Sequence, residues 1–242
     1  DTEITVEANP ETLSRPTVNV LCEQGVNRVS MGVQSFSPDL RKIIGRAGDP
    51  DCAPASCERL RTAGISNINI DLIYGIPGQT VPEWEQELRF AVSACSPQHI
   101  STYALTMEEG SALDTGNTLP PDEETVIIMW DRAESLLSRN GISRYEISNY
   151  ARPGYECRHN LRIWQGASFL GCGPAASSFD GVKRWKDPAS LTAWLQGAKP
   201  TVDHLAPEAR AAELLAFGFR LCDGWNRDAF RKRTGYDPWG LR

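Results

Sequence analysis

The chain has no apolar run approaching the ~18 residues that a membrane-spanning helix requires, so no transmembrane segment is expected. It also lacks a basic stretch followed by an apolar one near its start, the pattern of a secretory signal. Residue 1 is Asp, not Met, and the chain opens almost directly into a strand-like run, so the natural start is expected upstream. Positive charge is scarce: 25 Lys and Arg face 31 Asp and Glu, for a formal net charge of −6. A nucleic-acid groove needs clustered cations and is therefore disfavoured. The one basic cluster, Arg227, Arg231, Lys232 and Arg233, reads as the solvated face of a terminal helix. Cysteine pairs are missing too. The seven cysteines (Cys22, Cys52, Cys57, Cys95, Cys157, Cys172, Cys222) stand singly, with no C-x-x-C. An odd, scattered set argues against a disulfide framework or a metal site and fits reduced, cytoplasmic usage. No internal repeat or low-complexity tract is visible.

What is present is a globular composition, 40% hydrophobic and 23% charged. A chain of this size buries roughly three quarters of its unfolded surface. Residues 1–105 alternate short β-branched runs with helical segments, the signature of βαβ units and a parallel sheet. Four strands are expected at 4–7, 28–34, 67–71 and 99–103, ending on Glu7, Gln34, Asp71 and Tyr103. In a parallel barrel all strand ends open on one face, so polar residues there would converge on one ligand. Ser37-Pro38 and Thr80-x-x-Glu83 read as helix starts, and Gly64 as a left-handed helix stop. A polar loop is expected over 106–121, a helix over 122–139 and a strand over 144–148. Residues 150–179 show no helical period, and short helices are expected near 188–196, 207–221 and 225–234. The boundary between a barrel-like part and a C-terminal extension is set at 150/151.

Several blocks carry a resemblance. They are Val6-Glu7-Ala8-Asn9-Pro10, Arg28-Val29-Ser30-Met31-Gly32-Val33-Gln34-Ser35-Phe36, Ile43-Ile44-Gly45-Arg46 and Asn69-Ile70-Asp71-Leu72-Ile73-Tyr74-Gly75-Ile76-Pro77-Gly78-Gln79-Thr80. They resemble radical S-adenosylmethionine (radical SAM) proteins, specifically the oxygen-independent coproporphyrinogen III dehydrogenase group. The blocks Tyr145-Glu146-Ile147-Ser148-Asn149-Tyr150 and Arg158-His159-Asn160-Leu161-Arg162-Ile163-Trp164 look like the branch regarded as heme chaperones. The resemblance implies an α/β fold. It would be a partial (β/α)6 radical SAM barrel lacking its first strands, with a mainly α C-terminal extension. It implies S-adenosylmethionine as a ligand and a [4Fe–4S] cluster held by C-x-x-x-C-x-x-C, with an electron donor to serve it. That cysteine triplet does not occur in these 242 residues, so no cluster ligands are assigned and an N-terminally truncated chain is expected.

The same resemblance assigns Glu7, Gln34, Arg46 and Asp71 to S-adenosylmethionine. A carboxylate such as Asp71 can accept both ribose hydroxyls, and Arg46 can pair with the methionine carboxylate. The plainer alternative is a structural polar network across the barrel mouth. His159, Asn160 and Trp164 are assigned to heme, with His159 as axial ligand, Trp164 stacked on the porphyrin, and Cys157 as an alternative iron ligand. The plainer alternative is a packing histidine among aromatics. Two positions depart from the family, Ile163 for a usual Tyr and Gly48 for a usual His. His99 and His204 read as core or surface histidines, Tyr103 as lining the barrel mouth or simply packing there. The Gly-Pro segments at 75–78 and 171–174 read as tight turns. The implied function is delivery of heme to client proteins. The alternative is oxidative decarboxylation of coproporphyrinogen III, with no activity expected of a chain lacking the cluster.

Overall fold

The computed structural model describes residues 2–107 and 119–241. The chain forms two compact units, Asp1–Glu156 and Cys157–Arg242. In the first unit, strands β1 (Thr5–Ala8), β2 (Arg28–Gln34), β3 (Asn67–Tyr74) and β4 (His99–Ala104) lie side by side in that order, all parallel. Helices α1 (Arg15–Glu23), α2 (Pro38–Ile43), α3 (Cys52–Thr62), α4 (Val81–Phe90) and α5 (Glu123–Arg139) connect and follow them. The sheet ends in two short antiparallel strands, β5 (Ser143–Arg144) and β6 (Asn149–Ala151), with β6 against β4.

The sequence dictates two unlike faces. Side chains alternate along a strand, and partners across a ladder share a face. Val29, Met31, Val33, Ile68, Ile70, Leu72 and Ile100 fall on one face, all fully buried. They form one core with Ala53, Cys57 and Leu60 of α3, Trp84 and Leu88 of α4, and Met129, Ala133 and Leu137 of α5. Each large side chain there contributes about 1.5–3 kcal/mol. Trp84 is anchored by its indole N–H, which donates to the Met129 carbonyl at 2.9 Å. The opposite face carries Arg28, Ser30, Asn69, Asp71, His99 and Ser101. A purely structural parallel sheet is apolar on both faces; this one is not.

The helix starts follow the sequence. Ser37 accepts from the Leu40 N–H at 3.4 Å. Thr80 and Glu83 form a reciprocal capping box at the start of α4. Gly64 stands at φ +96° just after α3. Other expectations shift. The third strand runs on to Tyr74 because Leu72, Ile73 and Tyr74 pair with Thr102, Tyr103 and Ala104, so Asp71 lies within the strand and not at its end. Of the strand expected at 144–148, only Arg144 lies in a strand, at the end of β5, and the rest connects β5 to β6. The Glu146 carboxylate accepts from the Ser148 N–H at 2.9 Å and from the Asn149 amide, folding the chain back. Much of the loop expected over 106–121 lies outside the described residues.

The second unit begins with α6 (Arg158–Trp164), a helix inside the stretch that shows no helical period. It continues with an antiparallel sheet of β7 (Ser177–Phe179), β8 (Lys183–Lys186) and β9 (Thr201–His204), which the sequence reading did not anticipate. The helices α7 (Leu191–Leu195), α8 (Pro207–Gly218) and α9 (Arg227–Thr234) fall where short helices were expected. A small core of Ala211, Leu214 and Phe230, with Trp225 and Tyr236 against it, holds α8 and α9 together.

Candidate functional site

Register across the parallel strands places the expected residues. Glu7 pairs with Ser30, Ser30 with Asn69, and Asn69 with His99, forming one row across the polar face. The next row on the same face is Gly32, Asp71 and Ser101. Glu7 and Asp71 thus share a face, with Ser30 between them. Gln34 sits beyond a bulge, where the register slips between Gly32 and Gln34 and its backbone turns left-handed at φ +71°. A non-glycine residue in that region is uncommon and points to local over-determination. Gln34 doubles back over Gly32. A Cβ built on Gly32 would stand 3.0 Å from the Arg46 guanidinium, 3.0 Å from the Gln34 amide nitrogen and 3.6 Å from Asn9 Oδ1. The tips of Arg46, Gln34 and Asn9 therefore gather above one glycine.

Asp71 is held by a buried network. Its Oδ1 accepts from Asn69 Nδ2 at 2.7 Å, and its Oδ2 accepts from Ser30 Oγ at 3.1 Å. The second Asn69 amide hydrogen goes to Ser30 Oγ at 2.6 Å. Asn69 Oδ1 meets His99 Nδ1 at 2.6 Å and accepts from Ser101 Oγ at 3.2 Å. His99 Nε2 lies 2.9 Å from the Tyr145 hydroxyl. His99 is fully buried, and burial, followed by the charge of Arg28, holds its pKa well below 6.5. Tyr103 is 43% exposed and projects beside the carboxylates. Burial raises its pKa first, and the charges of Asp71, Glu146 and Glu7 add to the rise.

A second buried carboxylate, Glu87 of α4, braces the loops behind the site. Its Oε1 accepts from Ser35 Oγ, from the Phe36 N–H at 2.6 Å and from the Ser37 N–H at 3.2 Å. Its Oε2 accepts from Gln79 Nε2 at 2.9 Å, and Gln79 Oε1 takes the Ile76 N–H at 3.3 Å. One side chain thus ties the turn after β2 to the turn after β3. Burial raises the Glu87 pKa, and the four hydrogen bonds oppose that rise. Arg41, also buried, donates to the Val33 and Ala47 carbonyls and pairs with Glu11 at 3.4 Å. Gly48 has φ +91°, and the Glu11 carboxylate fills the space where its side chain would go.

The residues expected to bind heme lie in the second unit. Cys157 is buried and precedes α6. His159 is exposed at the second position of that helix, while Asn160 and Trp164 are half-buried. Asn160 and Trp164, four apart, share a helix face; His159 and Trp164, five apart, do not. The Trp164 ring already carries the Arg220 guanidinium at 4.3 Å and Phe217 edge-on at 6.0 Å. Ile163 faces an apolar cavity lined by Phe169, Phe179, Leu214 and Phe217. The helix does not present His159 and Trp164 as one surface. Of the residues now seen in the site, Ser30, Asn69, His99, Ser101 and Glu87 escaped sequence reading. The alternation Asn67-Ile68-Asn69-Ile70-Asp71 was the one signal that pointed to some of them.

Residues 1–91 match the radical SAM superfamily profile. The chain is 35% identical over 234 residues to a heme chaperone HemW of Mycobacterium tuberculosis, an alignment covering 93% of this chain and 60% of that one. It is 32% identical to HemW of Bacillus subtilis over 99% of this chain and 65% of that one. The chain thus spans about 60% of the length of such relatives. Among solved structures, coproporphyrinogen III oxidase HemN of Escherichia coli superimposes with a TM-score of 0.82 at 21% identity. That match covers 98% of this chain and 59% of HemN and shows the shared radical SAM fold. Among the described residues no three His, Cys, Asp or Glu side chains group as a metal site, and no helix is long and apolar enough to cross a membrane.

Proposed function

We propose that the protein is a heme chaperone of the radical SAM type, and that this chain carries its S-adenosylmethionine-binding face. The observations that carry the reading are that Glu7 and Asp71 share the polar sheet face with Gly32, and that the tips of Arg46 and Gln34 stand over that glycine. The chemistry of these groups fits the ligand. Asp71 uses one acceptor position on each oxygen within the protein and keeps another on each for a ribose diol. Arg46 suits the methionine carboxylate, as a charge-assisted partner. Glu7 suits the ammonium, and the Gln34 amide can donate to a ribose oxygen or accept from the ammonium. In the family the [4Fe–4S] cluster, when bound, supplies the electron that splits the sulfonium. The cysteine triplet for it is not in this sequence, and the residues here bind and orient only.

Heme is the proposed cargo, with His159 as axial ligand and heme-receiving apoproteins as clients in the cytoplasm. The relatives named heme chaperones support this, as do seven cysteines with no disulfide among them, which fit a reducing compartment. The coproporphyrinogen dehydrogenase alternative has the shared fold behind it, and a fold alone does not assign an activity. The test has two arms. Calorimetric titration with S-adenosylhomocysteine should show binding that Arg46→Ala weakens by about ten-fold. Titration with hemin should shift the Soret band, and His159→Ala should abolish the shift. No binding in the first arm removes the nucleoside site, and an unchanged Soret response in the variant removes His159.

A further inference from the structure

The buried network behind Asp71 has a direction fixed by chemistry. A carboxylate can only accept, so Asn69 must turn its NH2 group toward Asp71 and Ser30. That leaves Asn69 Oδ1 facing His99, whose Nδ1 at 2.6 Å must then carry the proton. The neutral ring has a lone pair left on Nε2, which takes the hydroxyl hydrogen of Tyr145 at 2.9 Å. The polarity therefore runs unbroken from Tyr145 through His99 and Asn69 to Asp71, crossing three elements of the first unit. A reversed Asn69 amide would set its oxygen against the Asp71 carboxylate, acceptor against acceptor. Ser101 donates to the same Asn69 oxygen at 3.2 Å, so Asn69 uses all four of its hydrogen-bonding positions.

We propose that His99 is a positioning residue for Asp71: by fixing the Asn69 amide it orients the carboxylate so that one lone pair on each oxygen faces the two ribose hydroxyls of the nucleoside. The proposal rests on the ribose contact assigned to Asp71 above and adds the groups that aim it. His99 touches no ligand and acts only through Asn69. Tyr145, one residue after β5, supplies the terminal donor, which links the antiparallel edge of the sheet to the ligand face.

The test compares adenosine with 2′-deoxyadenosine, which differ by one of the two hydroxyls. The wild-type chain should bind adenosine about ten-fold more tightly. Folded His99→Phe, similar in size but without a donor, should lower that preference to about three-fold or less while still binding both nucleosides. Retention of the wild-type preference in this variant overturns the proposal and leaves the ribose contact standing. Equal binding of both nucleosides by the wild type overturns the ribose contact and the proposal together. Long-range proton–nitrogen NMR of the imidazole provides a check that needs no variant. The proton must be found on Nδ1 with Nε2 bare, and the opposite tautomer overturns the proposal. If His99→Phe does not fold, Tyr145→Phe replaces it, with a smaller fall in preference expected and an unchanged preference counting against the proposal.

Discussion

Single side chains decide the polar face, and most of them could not be foreseen. Glu7, Gln34 and Asp71 were legible because polar residues interrupt β-branched runs where an apolar one is expected. Asn69, Ser30 and His99 were not, because their roles arise from register between strands about thirty to forty residues apart. His99 read as a core or surface histidine with no neighbouring ligands: it is fully buried, and it contacts Asn69 Oδ1. Its depressed pKa has a consequence for stability. The unfolded chain takes up a proton on this residue near pH 6.5, whereas the folded chain resists it beside Arg28 and in the absence of solvent. Below that pH the unfolded state binds more protons, so stability falls as pH drops. The expected slope from this residue approaches about 1.4 kcal/mol per pH unit between the unfolded and folded pKa values. Urea denaturation at about pH 7 and about pH 5.5 should show the loss, and His99→Phe should reduce it by about that slope.

Local rules served well wherever an element announces its own ends. The α4 start was legible to the residue, since Thr80 and Glu83 each satisfy the other's backbone N–H. Thr80→Ala should cost about 1 kcal/mol in thermal or chemical denaturation. It should leave nucleoside affinity nearly unchanged, because the Glu87 brace lies one turn further on. Elements without such signals were missed. Helix α6 has seven residues and no side-chain cap at its start, so neither period nor punctuation marks it. The turn between β5 and β6 depends on the buried Glu146, whose carboxylate does the work that Gly or Pro usually does. Strands β7 to β9 are three or four residues long, too short for alternation to register.

Across the sheet as a whole, cohesion lies on one face and the proposed recognition on the other. Ile70 and Asp71 are neighbours in the chain but point opposite ways, one fully buried in the core and the other on the polar face. Ile70→Ala should therefore cost about 2–5 kcal/mol of stability with S-adenosylhomocysteine affinity largely kept. Asp71→Asn should do the reverse, lowering affinity by about ten-fold at a stability cost near 1 kcal/mol. Denaturation and calorimetry on the two variants should show this crossed pattern, and parallel losses in both would mean the faces are not independent.

Glu87 is where that independence gives way. It leaves a helix packed in the apolar core and ends on the backbone of the turn that follows Gln34. Gln34 stands at φ +71° immediately before that pinned turn. Any shift of α4 along the sheet would slacken the pin and let Gln34 swing toward ordinary extended geometry, away from Arg46. If the proposed nucleoside site is right, repacking beneath Trp84 or Leu88 would then change its grip without a single altered atom among Glu7, Gln34, Arg46 and Asp71.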